Sequence, residues 1–191
     1  MKLLEERILR DGKVYAGDVL KVDSFLNHQI DVDFLCEVGK EFYRLYKDCG
    51  VNKILTVEAS GIGVACLAAQ YFHCPVVFAK KSRTSNLGTD VWAAAAHSYT
   101  HGTDNTLIVS KDYLGKDDKV LILDDFLANG CAARAMLLLC EQAGAKVAGV
   151  GAVIEKAYQK GGDELRARGV RVESLARIAS MSPTDGIRFC D

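Results

Sequence analysis

Residues 120–134 read Val-Leu-Ile-Leu-Asp-Asp-Phe-Leu-Ala-Asn-Gly-Cys-Ala-Ala-Arg. The four apolar residues Val120 to Leu123 have the pattern of a strand buried on both faces, because a half-exposed strand alternates apolar and polar side chains. They run straight into two carboxylates, Asp124 and Asp125, after which Asn129-Gly130 turns the chain into an apolar helical stretch, Gly130 to Ala143. A buried strand that passes through a short loop into a helix is one unit of a parallel α/β sheet.

The same unit recurs on both sides. Lys53 to Glu58, Pro75 to Lys81, Asp104 to Lys111, Lys146 to Lys156 and Arg171 to Ile178 read as strands. Residues 2–11 and 31–49 have helical periodicity, the second with Phe34, Leu35, Val38, Phe42, Leu45 and Tyr46 on one face and Asp31 as its cap. Ala59 to Gly63 reads as a small-residue loop, with a helix over Val64 to Phe72 after it. Residues 82–103, around the only tryptophan and the Ala93–Ala96 run, are the least regular stretch and read as a lid. The expected fold is α/β, a doubly wound, mainly parallel sheet in one domain spanning residues 1–191. Ligands of such sheets bind outside the carboxyl ends of the strands, which directs attention to Glu58–Gly63, Lys80-Lys81, Asp124–Ala133 and Glu155-Lys156.

Composition narrows the function classes. A net charge of −1 gives no general attraction to nucleic acid or to an acidic membrane surface, so a bound anion needs a local site. No stretch approaches the ~20 apolar residues that span a bilayer, and the amino terminus lacks the apolar core of a signal peptide. The seven cysteines, odd in number and without a C-x-x-C pair, read as buried thiols of a reducing compartment, the cytoplasm. The four histidines share no metal-ligand spacing with a carboxylate or thiol partner.

The strand ends suit a phosphorylated sugar. Main-chain amides at the start of a helix hold phosphate, with the positive end of the helix dipole behind them. Carboxylates just before that turn accept hydrogen bonds from sugar hydroxyls or reach a magnesium ion through water. Taken singly, Asp-Asp and Asn-Gly are an ordinary polar strand exit and turn; their joint order carries the reading. Gly61-Ile-Gly63 is no dinucleotide fingerprint, because Cys66 stands where the third glycine belongs.

Residues 120–134 closely resemble the phosphoribosyl pyrophosphate (PRPP) signature of the type I phosphoribosyltransferases. Many members carry Thr-Gly where this chain has Asn129-Gly130. The bacterial xanthine phosphoribosyltransferases have Ala-Asn-Gly there, and Leu20 to Asp31, Val153 to Lys156 and Val172 to Ile178 are similar to their segments. The resemblance implies a small hood formed by about residues 1–30 and the C-terminal segment. It implies PRPP contacts at Ala128, Asn129, Gly130, Cys131 and Ala132, and xanthine contacts at Leu20, Asn27 and Lys156. Glu58, Ala59, Ser60 and Gly61 resemble the pyrophosphate loop, with Lys80 or Lys81 placing an ammonium nearby, and Asp124 and Asp125 stand as the catalytic pair.

The function that the resemblance implies is purine salvage: transfer of 5-phosphoribosyl from PRPP to xanthine, giving xanthosine monophosphate (XMP) and pyrophosphate. Mg2+ is carried mainly by PRPP rather than by protein ligands, and a homodimer is expected. The alternatives are hypoxanthine or guanine as acceptor, since one lysine facing an oxo group does not separate these bases, or a non-catalytic PRPP- or purine-responsive transcription regulator. The regulator needs a DNA-binding element or basic surface, for which the chain has neither spare length nor charge.

Overall fold

The apolar runs pair as parallel strands, and helices cover both faces of the resulting sheet. In this computed structural model, which describes residues 1–81, 90–97 and 104–190, the chain begins with α1 (Lys2–Asp11). A hairpin of β1 (Lys13–Tyr15) and β2 (Val19–Lys21) follows, then one π-helical turn over Asp23–Asn27. α2 (Val32–Tyr46) is capped as its sequence requires, with the Asp31 carboxylate accepting from the Phe34 amide at 3.2 Å. β3 (Lys53–Val57), α3 (Ser60–Phe72) and β4 (Val76–Ala79) come next, then β5 (Val91–His97) and β6 (Asp104–Ser110). The chain continues through β7 (Lys119–Leu127), α4 (Cys131–Ala143), β8 (Lys146–Lys156) and α5 (Gly161–Ala167). It closes with β9 (Val172–Ser182) and β10 (Gly186–Phe189).

The main sheet has the order β10-β9-β8-β7-β3-β4, parallel throughout except for the antiparallel edge strand β10. β7 shows why a continuous apolar run was needed. Leu121 and Leu123 enter the core under α2 and α3, Val120 and Ile122 enter the core under α4, and all four are fully buried. From β3 the chain steps outward to β4, then returns to the other side of β3 as β7. The order therefore reverses between β3 and β7, and the crevice at that switch point is where an open α/β sheet binds its ligand.

Several elements differ from the sequence expectation. The Ala93–Ala96 run is not irregular; it lies in β5, paired antiparallel with β6. Alanine has little intrinsic strand preference, but Ala94 and Ala96 are buried against the α4 side of the core while Ala93 and Ala95 face out, and the Gln142 amide of α4 donates to the Ala93 carbonyl at 2.9 Å. α3 starts at Ser60, four residues earlier than Val64, so the expected loop Ala59 to Gly63 is mostly the first turn of a helix. The last strand runs on to Ser182 and forms a hairpin with β10. The rest of the lid reading, residues 82–89 and 98–103, lies outside the described residues.

Candidate active site

Two strand ends meet at the switch point. β7 delivers Asp124, which is 7% exposed, and the half-buried Asp125, whose amide donates to the Asp124 carboxylate at 3.0 Å. Burial, and then the adjacent charge of Asp125, hold the Asp124 carboxyl well above the usual carboxylate range. The fold therefore disfavours a charge on Asp124, an effect that the charge of Lys81 opposes.

Beyond the pair, Gly130 takes a left-handed turn at φ +78° and α4 begins. The Asn129 side chain accepts from the Cys131 amide at 3.2 Å, fixing the turn. The first turn of α4 holds no acidic residue, so its positive dipole end is uncompensated within the helix.

From β3 the chain passes through Glu58, a cis Glu58–Ala59 peptide and Ser60 into α3. The Glu58 carboxylate accepts from the Lys81 amide at 2.6 Å, tying this turn to the end of β4. Gly61 lies so close over Thr56 that a Cβ there would come within 2.2 Å of the Thr56 hydroxyl and 3.4 Å of the Asp124 carboxylate. The Thr56 hydroxyl is buried and has no hydrogen-bond partner among the described residues. The Gly61 backbone, Thr56 and Asp124 thus form one tight stack, which sequence reading missed because nothing local marks Thr56.

These segments enclose a cleft of about 260 Å³ lined by Glu58, Ser60, Gly61, Lys81, Asp124, Asp125, Asn129, Cys131 and Ala132, with Val57, Ala96 and Leu107 completing the wall. Nine residues expected at the phosphate and pyrophosphate end therefore share one cavity. Ala59, Ala128 and Gly130 belong to the same two turns without lining it. The two lysines separate: Lys81 borders the cleft, whereas Lys80 pairs through its backbone with Ile108 at 2.9 Å in both directions. Lys80 lines a different groove of about 500 Å³ along β4, walled by Pro75, Val76, Val77 and Phe78. That groove is larger but has no carboxylate pair, so the chemistry points to the smaller cleft.

The three residues expected to meet the base lie elsewhere. Leu20 is buried in β2 as part of the core beneath the hairpin. The Asn27 side-chain oxygen is buried with no partner among the described residues, which leaves an acceptor unsatisfied at the end of the π-helical turn. Lys156 ends β8; its ammonium donates to the Asp18 carbonyl at the hairpin tip, 2.6 Å away, and sits 5.7 Å from the Phe126 ring centre. Partial burial lowers its pKa, opposed by the charge of Asp18. Phe126 and Tyr158, the latter beside Asp18, adjoin this side and were not singled out from sequence. Phe126 was legible in principle, as the aromatic residue directly after the carboxylate pair.

No cluster of three or more potential metal ligands occurs among the described residues. No disulfide joins the seven cysteines; of these, expected as buried thiols, only Cys140 is buried and Cys66 is exposed, and burial pushes the Cys140 thiol up to about 12. No helix of the described residues is long and apolar enough to cross a membrane.

Comparison with known proteins agrees with this geometry. The profile of the phosphoribosyl transferase domain matches residues 34–176, from α2 to β9. A xanthine phosphoribosyltransferase of Ruminiclostridium cellulolyticum is 53% identical over 181 residues, covering 95% of each chain. One from Lachnoclostridium phytofermentans is 53% identical over 97% of this chain and 96% of its own. Among solved structures, the adenine phosphoribosyltransferase of Giardia lamblia in complex with 9-deazaadenine superposes with a TM-score of 0.72 at 26% identity, covering 87% of this chain and 90% of that one. The Trypanosoma brucei adenine enzyme, with AMP, pyrophosphate and ribose-5-phosphate, reaches 0.77 at 18% identity over 91% of this chain and 79% of its own, a likeness of fold. With the carboxylate pair, the α4 turn and the Glu58–Gly61 turn around one cleft, and a domain match over most of its length, this chain belongs to the phosphoribosyltransferase family.

Proposed function

We propose that this protein is a purine-salvage enzyme that transfers the 5-phosphoribosyl group of PRPP to a ring nitrogen of xanthine, forming XMP and pyrophosphate. The observation that carries the reading is the Asp124–Asp125 pair, its first member buried, which faces the start of α4 and the Glu58–Gly61 turn across one cleft at the switch point. The choice of base rests on relatives that are xanthine phosphoribosyltransferases at 53% identity over nearly the whole chain.

In the reaction the bond between ribose and diphosphate breaks, leaving positive charge on the sugar and negative charge on pyrophosphate. Asp124 and Asp125 bind the ribose hydroxyls and favour the cationic sugar, and Ala128 to Ala132 anchor the 5′-phosphate on main-chain amides. The Glu58–Gly61 turn and Lys81 receive the diphosphate. Magnesium enters with PRPP as part of the substrate. The carboxylate pair is a suitable hard-oxygen partner for it, and the described residues build no separate cage. Leu20, Asn27 and Lys156 receive the base: the unsatisfied Asn27 oxygen accepts from a ring N–H, and Lys156 donates to an oxo group.

Cysteines without disulfides suit a reducing cytoplasm, and light scattering tests the homodimer that the family resemblance implies. The reading is tested by measuring pyrophosphate release from PRPP and Mg2+ with xanthine, guanine, hypoxanthine or adenine. The largest kcat/KM is expected with xanthine. Release with guanine or hypoxanthine at a higher kcat/KM reassigns the base, and no release with any base overturns the enzyme reading.

A further inference from the structure

The main-chain cradle proposed for the 5′-phosphate is held from behind. A phosphate nest must present N–H groups to the anion, so its carbonyls need partners on the far side. Three successive carbonyls of the β7–α4 turn have such partners. The Gly161 amide, at the start of α5, donates to Ala128 O at 3.1 Å; the Arg134 guanidinium donates to Asn129 O at 2.8 Å; and the Arg134 amide donates to Gly130 O at 2.9 Å. Neither Arg134 nor Gly161 lines the cleft.

The contact admits no extra atom. A Cβ on Gly161 would lie 2.4 Å from Ala128 O, 2.5 Å from the Asn129 carbonyl carbon and 2.5 Å from the Gly130 nitrogen, all of them backbone. The Arg134 guanidinium also pairs with Glu164 of α5 at 3.1 Å. α5 itself is fastened to the end of β8, where Arg166 meets the buried Glu155. The turn is thereby gripped between α4 and α5.

Building on the phosphoribosyl reading, we propose that Arg134 and Gly161 are positioning residues for the 5′-phosphate: they fix the Ala128–Ala132 turn in its anion-binding form without touching the substrate. The grip acts on the 5′-phosphate end of the cleft and leaves the Glu58–Gly61 end alone.

Calorimetric binding of ribose 5-phosphate and of inorganic pyrophosphate with Mg2+ separates the two ends. Arg134→Met and Gly161→Ala are expected to weaken ribose 5-phosphate about tenfold or more, the scale of losing a charged or backbone hydrogen bond, with pyrophosphate within about twofold of wild type. Arg134→Lys, which keeps a cationic donor, is expected to recover most of the loss, and the KM for PRPP is expected to rise more than kcat falls. Unchanged binding of both anions by both variants overturns the proposal, as does a parallel loss of both anions, the mark of general unfolding. A wild-type chain that binds pyrophosphate but no ribose 5-phosphate overturns the assignment of the turn itself, and the grip with it.

Discussion

Glu155 accepts a two-point hydrogen bond from Arg166, at 2.9 and 2.8 Å, in the residue position directly before Lys156. Arg177 adds a third contact at 3.2 Å, so a carboxylate that is 1% exposed is neutralised by two guanidinium groups. The arrangement anchors α5 at the point where β8 ends in Lys156, the lysine proposed to meet the base. Glu155 and Lys156 therefore divide the work of that strand end, one holding the frame and the other presenting an ammonium.

Replacing Glu155 by Gln leaves Arg166 with a weaker partner and is expected to cost about 3 kcal/mol, the scale of breaking a buried ion pair. Burial alone raises the Glu155 carboxyl, but hydrogen bonds from Arg166 and the charges of Arg166 and Arg177 bring it below its ordinary value. A carboxyl lowered on folding contributes stability that is present above its unfolded pKa and is lost as pH falls through the folded one. Urea unfolding at neutral and acid pH should show a gap between wild type and variant that narrows below the usual carboxylate range. A gap independent of pH contradicts the ion-pair account.

Asp124 has the opposite sign. Its carboxyl is raised on folding, so the site loses stability as pH rises from the unfolded pKa toward the folded one. Asp124→Asn is expected to match or exceed wild-type stability at neutral pH while kcat drops about a hundredfold or more, the trade of stability for function common at active sites. A thermal melt beside a steady-state assay checks both. A strongly destabilised variant, or one of undiminished rate, contradicts the assignment.

The stack of Gly61 on Thr56 predicts that Gly61→Ala costs about 1–3 kcal/mol through overpacking and weakens pyrophosphate. Since the clash is with the Thr56 hydroxyl, Thr56→Ala in the same chain should restore part of the loss. A double-mutant cycle on denaturation midpoints measures the coupling, and strict additivity of the two changes argues against the stack.

On the proposed base contact, Lys156→Met is expected to raise the KM for xanthine about tenfold or more, with the KM for PRPP little changed, the scale of losing a charged hydrogen bond. The decisive comparison is the ratio of the two constants. An equal rise in both places Lys156 in the frame of the fold instead.

The carboxylate cleft was legible because its signal is contiguous. A four-residue apolar strand, two carboxylates and a glycine turn stand within Val120 to Gly130, and each feature has a local physical cause. The Asp31 cap was legible for the same reason. What escaped depends on approach through space. Thr56 is an unmarked strand residue until Gly61 descends on it, and Gly161 with Arg134 mean nothing until α5 packs behind the β7–α4 turn. The Ala93–Ala96 run misled because strand pairing with β6 and burial against α4 outweigh the weak local preference of alanine. Leu20 and Asn27, proposed to meet the base, have no distinctive local signal in sequence, and their expectation rested on resemblance.

The central claim is that the Asp124–Asp125 cleft transfers phosphoribosyl to xanthine. Its most direct test is to incubate wild type and the Asp124→Asn/Asp125→Asn variant with PRPP, Mg2+ and xanthine, and to quantify XMP and pyrophosphate together. Wild type should form the two products in equal amounts, and the variant should be slower by about a hundredfold or more. No XMP from wild type, or a variant rate within a few-fold of it, contradicts the claim.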